Sequence, residues 1–283
     1  ENSKLQQIGK YAFLKSSIQS ITIPKSVQII ENNAFSTCYD LNEVIFEKGS
    51  KLLTISKYLF DDSNELSIVS IPEKCSLQKI SSFPFIDTSI ECIFLPETVN
   101  ELEEGWFCGV KEVKISPKNN HFKYLDNGQQ IIVRKSDKNN SNFDTIAFAN
   151  RSIKRATIPK TIKYIDSYAF EECEELEFLG MPDDSELVNI GRQAFVGSSI
   201  KSFIVPKNIC NINEIFNNCL NLMSLEVQGE LFFNDSFTLF NCIRLSIISF
   251  PNVLNLELKM NIHKFSNNFT LFIQAGAKIK LNF

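Results

Sequence analysis

The sequence predicts an α/β repeat protein, a solenoid of about ten stacked units of 22–26 residues. Three observations predict it. One phenylalanine recurs in constant phase along most of the 283 residues. A short apolar register follows each copy and often closes on proline. The aromatic content is lopsided, with 25 Phe against 6 Tyr and 1 Trp, as a repeated core slot would produce. Apolar residues make up 43% of the chain, enough for a sizeable core, and in a repeat protein that core grows along one axis.

The phenylalanine register runs Phe13, Phe35, Phe60, Phe85 and Phe107, then Phe170, Phe195, Phe216 and Phe240. Alanine precedes it at 12, 34, 169 and 194, and cysteine follows three residues later at 38, 173 and 219. Apolar residues spaced by three through Ala-Phe-x-x-Cys-x-x-Leu suit a short helix or 3₁₀ turn, with Gly9 and Gly191 at its tight entry.

The second register reads apolar-x-x-apolar-x-apolar. Its copies are Ile18/Ile21/Ile23-Pro24, Leu41/Val44/Phe46, Leu66/Val69/Ile71-Pro72, Ile90/Ile93/Leu95-Pro96 and Val110/Val113/Ile115. They continue as Ile153/Ala156/Ile158-Pro159, Leu176/Leu179/Met181-Pro182, Ile200/Phe203/Val205-Pro206, Leu222/Leu225/Val227 and Leu245/Ile248/Phe250-Pro251. The last two apolar positions lie two apart and so share one face of a short strand. Proline, lacking an N–H, ends the pairing. No unit buries its apolar face alone; stacking supplies the partner.

The composite I-G-x-x-A-F-x-x-C-x-x-L-x-x-[VI]-x-[IL]-P resembles the BspA-like, Treponema pallidum-type leucine-rich repeat, over about residues 3–250. The resemblance implies a curved solenoid with a parallel sheet on its concave side and short helices or 3₁₀ turns on the convex side. It also implies a surface-antigen or adhesion role and a cell-surface or extracellular location. Pro84-Phe85 and Trp106-Phe107 depart from Ala-Phe, and the stretches around Phe216 and Phe232–Phe240 are degenerate.

One domain is expected over 1–283, with N-terminal repeats at 1–118, an insert at 119–149, C-terminal repeats at 150–250 and a cap at 251–283. In the insert, the strand registers at Ile115 and Ile158 are 43 residues apart and no clear Ala-Phe turn lies between them. Asp126-Asn127-Gly128 is a tight-turn signal between strand-like runs, and Lys135–Asn142 reads as a loop tip; a β-hairpin or three-stranded flap that keeps the solenoid continuous is expected. The cap alternates like strands, as needed to cover the last core face.

Chemistry is sparse. His121 and His263 have no second ligand at metal spacing, and no nucleotide, hydrolase or metalloprotease motif occurs. No catalytic residue, metal or cofactor is expected, and the protein reads as a binder rather than an enzyme. The run Glu171-Glu172-Cys173-Glu174-Glu175 reads as a solvated corner. Cys38, Cys173 and Cys219 share one core slot, where Cys acts as a small hydrophobe; Cys92 stands apart at a variable strand position. The net charge of −4 offers no basic face for nucleic acid, and no apolar run reaches bilayer length. The chain starts at Glu1, within a repeat, as a fragment or processed chain would.

Binding is expected on the concave sheet, through the strand residues that point away from the core. Most are small or polar; Ile45, Phe94 and Ile204 are not, and Phe178 stands next to Gly180. The expected ligand is a protein or glycan, the expected state a monomer. An intracellular scaffold is the alternative function and the cytoplasm the alternative location. Asn139, Asn150, Asn234 and Asn268 begin N-x-[ST] triplets, glycan acceptors in a secreted chain.

Overall fold

The structure, a computed structural model, describes residues 3–125, 128, 130–137, 141–209, 212, 214–229, 239–252, 255–259, 270–273 and 278–282. Its contacts gather into two compact units, Glu1–Lys123 and Tyr124–Phe283.

In the first unit, two-residue and longer strands alternate: β1 (Gln7–Ile8), β2 (Ser20–Ile23), β3 (Ile29–Ile30), β4 (Glu43–Phe46), β5 (Thr54–Ile55), β6 (Ile68–Ser70), β7 (Lys79–Ile80), β8 (Ile90–Leu95), β9 (Glu101–Leu102) and β10 (Val110–Ile115). Each coil therefore adds one strand to each of two parallel stacks. The longer strands pair as β2-β4-β6 and β8-β10, the short ones as β1-β3 and β5-β7-β9. Register advances by one coil at each step: Ile21 opposes Val44, and Val44 opposes Val69.

Strand β11 (Phe122–Tyr124) crosses into the second unit, followed by β12 (Ile131–Arg134) and β13 (Thr145–Ala149). Then come β14 (Arg155–Thr157), β15 (Tyr164–Ile165), β16 (Phe178–Gly180), β17 (Asn189–Ile190), β18 (Ser202–Val205), β19 (Ser224–Val227), β20 (Ile247–Phe250), β21 (Asn255–Lys259), β22 (Thr270–Ile273) and β23 (Lys278–Asn282). Strands β12 and β13 form an antiparallel pair, and β13 joins the short-strand stack through β15 and β17. The longer strands form two separate sheets, β14-β16 and β18-β19-β20-β22. Strands β21 and β23 pair in parallel. The Asp126-Asn127 turn, residues 138–140 of the loop tip, residues 231–238 of the degenerate stretch and much of the cap lie outside the described residues.

The expected helices and 3₁₀ turns are absent among the described residues, and the backbone shows why. Within each Ala-Phe segment, successive N–H groups alternate between two acceptors. Ala12, Leu14 and Ser16 donate three residues back, to Gly9, Tyr11 and Phe13. Phe13 and Lys15 donate instead to the next coil, to the carbonyls of Ala34 (2.7 Å) and Ser36 (3.2 Å). A helix would keep every N–H inside the segment. Sharing them requires a left-handed residue two places before and two places after the phenylalanine. Those are Tyr11 and Lys15, Asn33 and Thr37, Tyr58 and Asp62, Tyr168 and Glu172. Bulky residues avoid positive φ at a cost of about 1–2 kcal/mol each; the inter-coil bonds they permit offset it.

The phenylalanines stack on one another. Phe13–Phe35, Phe35–Phe60 and Phe60–Phe85 are 4.8, 5.8 and 6.0 Å apart with nearly parallel rings. In the second unit Phe170–Phe195 and Phe195–Phe216 are 5.0 and 5.4 Å apart. Three residues on, the Cys slot faces the previous coil. The Cys38 thiol lies 2.9 Å from the Phe13 carbonyl, and Cys219 is 3.0 Å from that of Phe195. Ser63 fills the same place with its hydroxyl donating to Phe35 at 2.9 Å. The slot therefore wants a small side chain with one donor.

The structure corrects the last register: the core position is Leu239, not Phe240. Leu239 is buried, Phe240 is 51% exposed, and Cys242, three after Leu239, donates to the Phe216 carbonyl. The insert holds Ala147-Phe148, but as strand residues of β13 rather than as a turn. Gly9 and Gly191 also divide. A Cβ on Gly191 would lie 2.2 Å from the Ser167 nitrogen of the neighbouring coil, whereas nothing lies within 4 Å of one on Gly9.

Candidate binding face

Residues that alternate with the core positions of the longer strands face outward. In the first unit, Ile45 sits in register between Thr22 and Ser70 and is half-buried by them. Phe94 lies opposite Lys114 and is also half-buried, beside Cys92 and Glu112. Burial pushes the Cys92 thiol up, with Glu112 adding to the effect. Ion pairs between neighbouring coils edge this face, Lys111 with Glu91 at 2.6 Å among them.

The second unit is more open. Phe178 and Ile204 are 43% and 49% exposed. Phe178 lies down along its own strand because Gly180 has no side chain: a Cβ there would be 2.9 Å from the ring's Cε1. The Arg155 guanidinium caps the ring, 4.8 Å from its centre.

Between Phe178 and Ile204 the sheet is split. Strands β14 and β16 pair over three residues and β18 and β19 over four, but no ladder joins β16 to β18. On their other sides the same two coils are joined, by Tyr164 opposite Asn189 and by Phe170 N donating to Ala194 O at 2.7 Å. The result is a slot of about 170 Å³, with Phe178–Asp183 along one wall and Ser202–Ile204, Pro206 and Lys207 along the other. Lys201 and Glu177 pair at 3.1 Å beside one end. At the other, the Asn208 amide donates to the Ser185 carbonyl at 3.4 Å. The bulk at this level comes from Phe203, whose ring lies 5.2 Å from both Phe195 and Phe216. Every other register carries an aliphatic residue there. Phe203 is the one aromatic in that register, but the split itself has no signal in the sequence.

Of the four expected binding residues, the structure brings Phe178 and Ile204 to one slot and leaves Ile45 and Phe94 on the first unit. In the acidic run Glu172, Glu174 and Glu175 are exposed, and Glu171 is the exception. Glu171 is drawn in to Arg151 at 3.7 Å, and Glu175 pairs with Lys154 at 3.0 Å. Arg151 is itself half-buried, its guanidinium 4.8 Å over Phe148, 3.4 Å from the Ala169 carbonyl and 3.8 Å from the Cys173 sulfur. Burial holds the Cys173 thiol above its usual range against this cation. Cys219 and Cys242 are pushed up to about 12 by burial. All seven described cysteines are free.

His121 is exposed, and its backbone N–H donates to the Asn119 side chain at 2.8 Å. His263, Asn139, Asn234 and Asn268 lie outside the described residues. Asn150 is buried at 8% exposure, so the folded chain does not present it to a glycan. Among the described residues no three His, Cys, Asp or Glu gather as a metal site, and no helix is long and apolar enough to cross a membrane.

The repeat that builds this face matches a family model, the BspA type leucine-rich repeat region, in 6 copies over residues 2–133 and 141–270. The chain belongs to that family. Solved structures of similar fold include a leucine-rich cell surface protein from Faecalibacterium prausnitzii, 19% identical, covering 99% of this chain and 83% of that one with a TM-score of 0.65. A leucine-rich repeat protein from Eubacterium ventriosum is 15% identical over 90% of this chain and 73% of its own, TM-score 0.68. The pneumococcal vaccine antigen PcpA is 18% identical over 99% and 85%, TM-score 0.58. No curated protein matches the chain in sequence. At these identities the likeness is one of fold.

Proposed function

We propose that this BspA-type repeat chain is a non-catalytic binding module, displayed at a cell surface, whose outward sheet faces take a protein or glycan ligand. The observation that carries the reading is the pair Phe178 and Ile204, two large apolar side chains about half exposed on either side of a slot. Exposed apolar residues at the centre of a polar surface are what interaction hot spots are made of. Ile45 and Phe94 give the first unit a smaller patch of the same kind. Surface display draws support from the cell surface protein and the vaccine antigen that share the fold.

The seven free cysteines favour a second reading, an intracellular scaffold, because reduced thiols persist in the cytosol. Antibody staining of intact, unpermeabilised cells decides between them. Staining lost on mild protease treatment supports display; staining only after permeabilisation supports the scaffold. For binding, Phe178→Glu and Phe94→Glu are expected to leave the thermal melt unchanged and to abolish capture of a partner found on the wild-type chain. Unchanged affinity in both would overturn the assignment of these faces.

A further inference from the structure

We infer that the slot between β16 and β18 is a strand-acceptor site, taking an extended segment of polypeptide from a protein partner. This rests on the reading of the chain as a binding module and narrows its ligand to protein.

In the second unit the longer strands form two ladders, β14-β16 and β18-β19-β20-β22. Strand β18 is paired on one side by β19, and β16 on one side by β14. The sides of β16 and β18 that face each other carry no ladder, and the two strands are not in the close backbone contact that β6 and β8 keep in the first unit. An unpaired strand edge is a row of N–H and C=O groups without partners, the usual template for adding a strand. Here two such edges face across one slot, with the same chain direction.

Complementarity chooses the occupant. Facing strand edges present donors and acceptors in alternation, and an extended peptide presents the same alternation on both of its sides at the matching repeat of about 3.3 Å. A sugar ring has hydroxyls but no such two-sided periodic row. The walls add side-chain selection: an inserted strand would set one side chain outward between Phe178 and Ile204, and the next inward over Leu179 and Phe203. A bulky apolar residue suits the outward place. Arg155 over the Phe178 ring, and Lys207 on the wall, have no carboxylate within ion-pair distance among the described residues, so acidic flanks suit the rim.

Two measurements test this. Hydrogen exchange on the free protein should show fast amides at Leu179, Met181, Ser202 and Ile204, which alternate with the residues bonded to β14 and β19 and so turn toward the slot, against slow ones at Leu225–Val227, where the ladder is closed. Slow exchange at both places would mean that the slot is shut in solution and would overturn the site. Amide-resolved NMR titration then uses Ac-Glu-Val-Phe-Val-Glu-NH2, its copy with alternate backbone nitrogens methylated, and cellopentaose. Shifts confined to the slot walls, about tenfold weaker for the methylated peptide and lost in Gly180→Val, support strand addition. No shift with the peptide, equal binding of the methylated copy, or shifts with cellopentaose would each overturn it. A concentration-dependent dimer that occupies the same amides would also do so, by making a second copy the occupant. Cell binding that persists in Gly180→Val while peptide binding is lost would leave the broader binding role standing and remove only this site from it.

Discussion

The two units build the same sheet face to different ends. In the first, Ile45 stands between Thr22 and Ser70, and the strands on either side hold it half-buried. In the second, Gly180 takes the matching place, Phe178 lies across it, and no ladder joins the neighbouring strand. At the matching level one unit has a paired ladder and the other a slot. Repeats make such a difference local, because each coil answers only to the coils beside it.

The sharpest way to test the likeness of the units is through the phenylalanine stack. Phe60→Ala and Phe195→Ala should each cost about 3–5 kcal/mol by urea unfolding. Phe195 should sit at the upper end, since it touches Phe170, Phe203 and Phe216 where Phe60 touches Phe35 and Phe85. A cost under about 1 kcal/mol at either would deny that the rings form the core.

A smaller effect separates the two glycines that occupy one repeat position. Gly191→Ala should destabilise by about 1–3 kcal/mol, because the new methyl meets the backbone at Ser167. Gly9→Ala should be neutral or stabilising by up to about 1 kcal/mol, having open space and no left-handed φ. Equal costs would mean that coil spacing does not differ at these points.

Alkaline pH should act on the second unit. Cys219 and Cys242, held at about 12, keep their protons when folded, while an unfolded thiol loses its proton near 8.5. Their contribution is therefore complete below about pH 8.5 and fades as pH rises toward 12. Hydrogen exchange or circular dichroism between pH 8 and 11 should show these coils loosening; a flat response would count against their burial. At pH 8 their thiolate fraction is about 0.01%, so a thiol reagent should modify the half-exposed Cys92 well before either.

The sequence alone determined the repeat, its inward positions, the phenylalanine core and the slot that Cys38, Cys173 and Cys219 share, because period and side-chain size are written locally; that the slot takes a donor, and that Ser63 fills it too, came from the structure. It also marked Ile45, Phe94, Phe178 and Ile204 as apolar residues pointing outward. The turns were misjudged as helical, since spacing by three fits both a helix and a run of left-handed turns. Only the next coil's carbonyls at Ala34 and Ser36 choose between them. The shift from Phe240 to Leu239 escaped for a related reason: either residue fits the pattern, and the depth of the slot decides. The split between β16 and β18 belonged to the tertiary structure alone. It depends on the spacing of two coils whose strands are some 24 positions apart in sequence, which no local pattern encodes.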